Sequence, residues 1–545
     1  MYIRRVFVLD FVPLINVAAA GVVDHWADLR ASKLGVTSET LEFDGTGNST
    51  YVWSKVKNPA TTDATLLKTL GLHVEIEFAI KYTGAAVGTG RVILGDTVTP
   101  GGDMISGAGA DAFWVEQDAS NTYLKRVVNG GAATTITTIA FAPTLNTIYY
   151  FRVTVNLATG AWVVFRDTTW PATTSRGSGT DASIPNLDYY FGLDDESSKV
   201  QFSQINVHTV REGRFKEAEG WVPTGSRTAV VSFTMVRSAS GSLPAHLRID
   251  DVLQLVLEPT SAVADRIYRF AGRIERITER EGEVVYDCVD PRAMLMRTAF
   301  DKANTTQSRQ AWVRELGTLT DYMGTGPGAD TDGTTIAMTP RGRRTIDEVD
   351  DVLLHGSRYM TFDARKWRYA ISTTFASSGQ TIADSGGKVI KAGVVQDITE
   401  LMNRQRGYVS TAAVGDRNDG TSQSSYGIRS AVGVRTRLAA ADLAAVNDEK
   451  LLRNGVKIDN FWIDVADFWD VEPGTTAVVT LTPFGISAET CVCLAHEFRL
   501  GPTSPYYRLI FARSSTREKW PPKETGLLEA ALKQAIGSNA QSANI

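Results

Sequence analysis

Cysteine is almost missing from this chain: three in 545 residues, Cys288, Cys491 and Cys493. An odd count without framework spacing argues against a disulfide-built extracellular protein. Cys491 and Cys493 stand two apart, on one face of a strand, with His496 close by. No fourth ligand lies in the local sequence, so the pair reads as packing sulfur and no metal site is expected. Long apolar runs are missing too. No stretch reaches the roughly 18 consecutive apolar residues of a membrane span. Positive charge is not in excess: 56 Lys and Arg against 61 Asp and Glu give a formal net charge of −5. There is thus no electrostatic footprint for nucleic acid. The Gly-rich run from Gly324 to Gly333 lacks the strand-to-helix setting of a phosphate loop.

The N-terminus, MYIRRVFVLDFVPLINVAAAG, has two arginines, an apolar run and small residues, the ingredients of a secretory signal. Asp10, Pro13 and Asn16 interrupt the run, which favours an edge strand, Ile3 to Phe11, pairing with a later module.

What is abundant is glycine, 47 residues, among many Thr, Ser and Val. That composition favours β-structure with frequent turns, and the length calls for about three or four domains. The expected fold class is mainly β and multidomain. Its regions are an N-terminal strand (1–20), a sandwich (21–212), a first β-module (213–300), a helical and small α/β insert (301–395), a second β-module (396–515) and a helical tail (516–545).

Within 21–212, strand-like runs begin at His73, Thr122, Ile148, Ala161 and Val200, and Asn156–Gly160 is a hairpin turn in which Gly160 takes positive φ. LEFDGTGNSTYVW (41–53), YYFRVTVNLATGAWVVFRD (149–167) and FGLDDESSKVQFSQINVH (191–208) resemble, in that order, the concanavalin/laminin-G-like jelly roll. The resemblance implies a domain that binds glycans or decorates a scaffold. Trp114, Trp162 and Trp170 are then candidates to stack on sugar rings, with Asp103 and Asp118 as polar partners. Sheet packing is the competing reading of the tryptophans and carries more weight. Glycosidases of this fold place paired acids on one strand as Glu-x-Asp-x-Glu. Here the nearest string is Glu116-Gln-Asp118, without the third acid, so no catalytic residue is expected.

The stretch RIYRFAGRIERITEREGEVVYDCVD (266–290) reads as two strands around a Glu-Gly turn. Tyr268, Phe270 and Ile274 share one face, and a bulge near Glu275 and Arg276 brings Ile277 back into phase. A similar plan returns in TAVVTLTPFGISAETCVCLAHEFRLGPTSPYYRLIFARSS. RAMLMRTAFDKA and TQSRQAWVRELGTL read as helices. In TIDEVDDVLLHG, Thr345 is an expected N-cap with Glu348 completing a capping box, and Gly356 ends the helix. Asp347, Glu348, Asp350 and Asp351 read as its solvated face and helix-start charges. SQSSYGIRSA reads as a polar stretch with a turn around Tyr426-Gly427, DLAAVNDEKLLRNG as a helix, and TGLLEAALKQAIG as a marginal C-terminal helix.

Taken in order, RIDDVLQL, RFAGRIERI, VVYDCVD, the TIDEVDDVLLHGSRYMTFDARKWRY unit, SYGIR, VEPGTTAVVTL and YYRLIFA resemble the baseplate hub (tail-tip) proteins of tailed bacteriophages, over residues 213–515. The resemblance implies two related β-barrels flanking the insert, with the jelly roll as an added domain. It also implies a homotrimer at the virion tail tip. Its partners would be the tail tube, the tape measure protein and a distal tail fibre or tip protein, with host-surface glycan as a further contact of the jelly roll. Three chains with two similar barrels each match a six-fold tube. No cofactor, no enzymatic step and no sequence-specific nucleic-acid contact belong to that role. A secreted or surface carbohydrate-binding adhesin is the competing function.

Overall fold

The computed structural model describes residues 5–13, 26–28, 34–37, 40–44, 50–54, 66–67, 73–96, 105, 109–170, 172–196, 199–211, 215–225, 227–236, 249, 252–258, 267–303, 305–318, 324–325, 334–340, 343–356, 359–364, 368–372, 374–397, 401–409, 412–413, 417–434, 438–454, 458–466, 470–501 and 506–513. Asp103 and the C-terminal helix expected after Thr525 lie outside them. The described chain is mainly β and divides among several bodies. No helix among the described residues is long and apolar enough to cross a membrane.

The sandwich has two antiparallel layers. One runs, neighbour to neighbour, Leu34–Thr37, Thr40–Asp44, Lys199–Arg211, His73–Tyr82, Tyr149–Asn156, Ala161–Asp167 and Ser175–Thr180. The other runs Thr134–Ala140, Asn121–Val127, Ala112–Gln117, Thr89–Gly95, Tyr189–Glu196, Thr50–Ser54 and Trp26–Asp28. Strand alternation sends Val74, Ile76, Phe78 and Ile80 from one layer, and Val92, Leu94, Phe113 and Phe191 from the other, into one core. Phe78 stacks on Phe151 across neighbouring strands, centroids 4.9 Å apart.

The hairpin at Asn156–Gly160 forms as read. Gly160 has φ +72°, and a Cβ there would stand 2.0 Å from the Asp181 carbonyl oxygen. Both the left-handed backbone and the close approach require glycine. Gly160→Ala is therefore expected to destabilise the sandwich by about 2 kcal/mol. Urea unfolding followed by tryptophan fluorescence reads the effect, and an unchanged midpoint would refute it.

The first β-module runs Phe215–Pro223, Val230–Val236, Glu283–Val289, Ile267–Arg280, Val252–Glu258 and, at its far edge, Arg5–Pro13. That N-terminal strand pairs on its other side with Lys199–Arg211 of the sandwich. The sandwich therefore lies, in sequence, between two neighbouring strands of the first module. The second module runs Val389–Asp397, Ile458–Val465, Tyr506–Ala512, Ile486–Leu500, Thr475–Leu481 and Ala376–Ala383, the last pair parallel. Phe215–Pro223 pairs antiparallel with Ile486–Leu500 and joins the two modules edge to edge. Their inward side chains, among them Phe233, Phe270, Ile274, Phe461, Phe498 and Phe511, make one continuous core.

Each module is built on a long bulged strand, 14 residues from Ile267 and 15 from Ile486. The bulge read from Ile274 and Ile277 is present, with register shifting between Ile274 and Arg276. A second shift, opposite Leu255 and Val256, skips Arg269 and turns Tyr268 away from Phe270. Phe270 and Ile274 face the shared core while Tyr268 packs with Val252, Val256 and Ala364 on the other side. The expectation that Tyr268, Phe270 and Ile274 share a face is thus corrected by a bulge that the partner strand sets.

The insert centres on Trp312, Val349, Val352, Leu443 and Val446, contributed by the helices Arg309–Thr318, Thr345–His355 and Ala440–Asn454. Pairing redraws the boundary expected near residue 395. Ala376–Ala383 and Val389–Asp397 belong to the second module, whereas Arg404–Val409 joins a small separate sheet beside the third helix. Within the stretch 422–431, read as polar with a turn at Tyr426-Gly427, the first residues belong to a short helix, Gly420–Tyr426, capped by the Asp419 side chain, which accepts from Ser422 N at 3.0 Å, and Gly427 ends it with φ +70°. Thr345 does not cap its helix. Its hydroxyl donates to the Thr298 carbonyl oxygen at 3.0 Å and its amide to the same atom at 2.8 Å. Glu348 and Asp351 of the expected solvated face are buried. Gly356 does end the helix, by an extended-side φ of −118° rather than a left-handed turn, and Arg309 leaves no room there for a Cβ.

Candidate functional site

The residues proposed for glycan contact lie in different surroundings. Trp114 is buried on the outer side of the second layer beside Ile93, Ala112 and Val127, and its Nε1 donates to Glu116 Oε2 at 3.2 Å. Trp162 faces the sandwich core, with Gly177 and Gly179 of the adjoining strand against its ring. Trp170 meets Tyr150 edge-on at 5.6 Å and borders the junction with the modules. Asp118 closes a turn: its Oδ1 accepts from the Ser120 and Asn121 amides, both at 2.7 Å. The three tryptophans therefore do not form a common platform with Asp118.

Around Trp114 the outer face carries a closed charge network. Arg91 bonds Glu116 at 2.8 Å and Asp194 at 2.6 Å, and Lys125 bonds Glu116 at 2.7 Å. Burial works to raise the Glu116 carboxyl, yet Lys125 and Arg91 outweigh it and hold the group below the usual glutamate range. A carboxylate held in this way is a structural anion.

The cysteine cluster is packing. Cys288, Cys491 and Cys493 are buried thiols in the shared core, and burial pushes Cys491 up to about 12 and Cys493 higher still. His496 is buried beside them, with Nδ1 2.7 Å from Tyr507 Oη, and burial with Arg269 nearby drives its pKa well down. A neutral imidazole and protonated thiols suit a core.

The feature that local sequence did not announce is the junction. A cavity of about 470 Å³ is lined by Trp170 from the sandwich, Tyr268 and Arg269 from the first module, Asp363 from the insert and Glu472 from the second module. Beside it Arg292, at the start of the short helix Arg292–Arg297, is buried. Its Nε donates to Asp290 Oδ2 at 2.7 Å, and its Nη1 to the carbonyl oxygens of Pro223 and Gly225 at 3.0 and 2.8 Å. Asp290 Oδ2 also accepts from the Ala229 amide at 3.0 Å. This pair locks the loop after Phe215–Pro223, the strand that joins the two modules. Asp-Pro-Arg directly after a strand was the only local signal for it.

No family model and no curated protein matches the sequence. Among solved structures, the chain is similar to a tail protein from Neisseria meningitidis, at 11% identity and TM-score 0.42 over 55% of this chain and 93% of that one. It is similar to the 43 kDa tail protein of prophage MuSo2 from Shewanella oneidensis, at 12% identity and TM-score 0.40 over 56% and 95%. It is also similar to the carbohydrate-binding module CBM66 from Bacillus subtilis, at 12% identity and TM-score 0.25 over 33% and 94%.

Proposed function

We propose that this chain is a structural subunit of a phage-type tail, acting at the tail tip as a baseplate hub, with the sandwich as a lectin-like appendage. The observation that carries this reading is the antiparallel pairing of Phe215–Pro223 with Ile486–Leu500. It fuses two modules of related plan into one sheet with one core, and so presents two comparable faces per chain. Three chains then present six, the number needed to seat on a six-fold tube. The partners in this role are the tube, the tape measure protein and a distal fibre or tip protein, and the work is done by interfaces without bond making. The sandwich is held at the far edge of the first module through the N-terminal strand, a position suited to an outward appendage that meets host-surface glycan.

The test is the size and symmetry of the purified full-length protein. Light scattering is expected to give three chains per particle, and electron microscopy to show three-fold rings. A stable monomer at micromolar concentration that binds a polysaccharide tightly would replace this reading with that of a surface adhesin.

A further inference from the structure

The strand His73–Tyr82 alternates, so Glu75 and Glu77 leave the face opposite the core residues Val74, Ile76 and Phe78. On an isolated sandwich this face would meet water. Here the first module and the insert cover it, and each glutamate is 1% exposed. His208, on the neighbouring strand, stands directly across from Glu75 and is fully buried. One carboxylate oxygen from each glutamate and one ring nitrogen of His208 lie within 4.8 Å of one another.

Gln254 decides which ring nitrogen faces the acids. Its Nε2 donates to the Ala364 carbonyl oxygen at 2.7 Å, an atom that only accepts. Its Oε1 therefore faces His208 Nδ1, at 2.9 Å, and Nδ1 must carry the hydrogen. The other ring nitrogen, Nε2, faces Glu77 Oε2 at 3.3 Å. In a tetrahedral site with bonds of about 2.0–2.1 Å, neighbouring ligand atoms stand roughly 3.3–3.4 Å apart, the same spacing. Tyr268 Oη donates to Glu75 Oε1 at 3.3 Å and orients that carboxylate from outside. Arg152, across from Glu77 on the next strand, is buried with its guanidinium 3.9 Å over the Phe165 ring and has no hydrogen-bond partner among the described residues.

We propose that Glu75, Glu77 and His208 bind one zinc-class divalent ion. Two carboxylates balance its charge, and the neutral imidazole adds the nitrogen ligand that this class prefers over calcium or magnesium. Gln254 and Tyr268 are positioning residues that hold the ligands through hydrogen bonds. Because they come from the first module, with Ala364 from the insert behind Gln254, these hydrogen bonds link the ligand set to both.

Full-length protein produced with zinc is expected to hold one zinc per chain by elemental mass spectrometry. Cobalt in its place should show the intense visible bands of a tetrahedral nitrogen and oxygen site. Stripping with 1,10-phenanthroline is expected to lower Tm by about 5 °C, with zinc restoring it. Glu77→Gln keeps the side-chain shape and should weaken zinc binding by about 100-fold or more, while Gln254→Leu should cost about 10–100-fold through ligand orientation. Wild-type protein that takes up no stoichiometric zinc overturns the proposal. Equal zinc affinity in wild type and Glu77→Gln overturns it as well.

Discussion

Arg292→Met is expected to destabilise the joined modules by about 3–5 kcal/mol, the cost of leaving one member of a buried ion pair uncompensated. Arg292 is 1% exposed and Asp290 is equally covered, so neither gains water when its partner goes. The substitution strands the Asp290 carboxylate and, with it, the carbonyl oxygens of Pro223 and Gly225 that the guanidinium serves. Methionine fills most of the volume but donates nothing. The double variant Asp290→Asn/Arg292→Met removes both charges and is expected to recover more than half of the loss, because a neutral amide is far cheaper to bury. Chemical unfolding of the full chain, read by near-ultraviolet circular dichroism, measures both. A single variant within about 1 kcal/mol of wild type would show that the pair does not hold the loop.

Phe498→Ala is expected to cost about 3–5 kcal/mol and to loosen the contact between modules. Phe498 is buried in the shared core and lies opposite Gly220 across the joining strands. A Cβ at Gly220 would stand 2.8 Å from the Phe498 ring, so the ring rests directly on the other module's backbone. Phe498 also stacks on Tyr507 with centroids 5.9 Å apart and planes 12° from parallel. Truncation leaves a cavity that a two-sided sheet has little freedom to close. Limited proteolysis is the second readout. If the joining strands act as described, cleavage between the modules should speed up in the variant. If instead each module melts and digests as in wild type, the shared core is not what binds them.

Much of the local architecture was legible. Gly160 announced its hairpin because only glycine takes that backbone beside Asp181. Ile274 and Ile277 announced their bulge because two inward residues three apart cannot share one face of a regular strand. Phe461, Ile463 and Val465 alternate and are buried as alternation predicts. The misreadings share a cause. Tyr268 looked in phase with Phe270, but the bulge at Arg269 is set by pairing with Val252–Glu258, and nothing nearby in sequence encodes it. Thr345 and Glu348 had the spacing of a capping box, yet Thr298, 47 residues earlier, captures the threonine hydroxyl. The edge placed at residue 395 ignored strands whose partners lie after residue 457.

By itself, then, the sequence determined the elements: period-two hydrophobicity, glycine at forced turns and helical spacing are properties of neighbouring residues. Only the tertiary structure decided the junction. Glu75, His208, Gln254 and Ala364 are brought together from four separate segments, and a charge on a strand's outer face looks the same in sequence whether water or another module covers it.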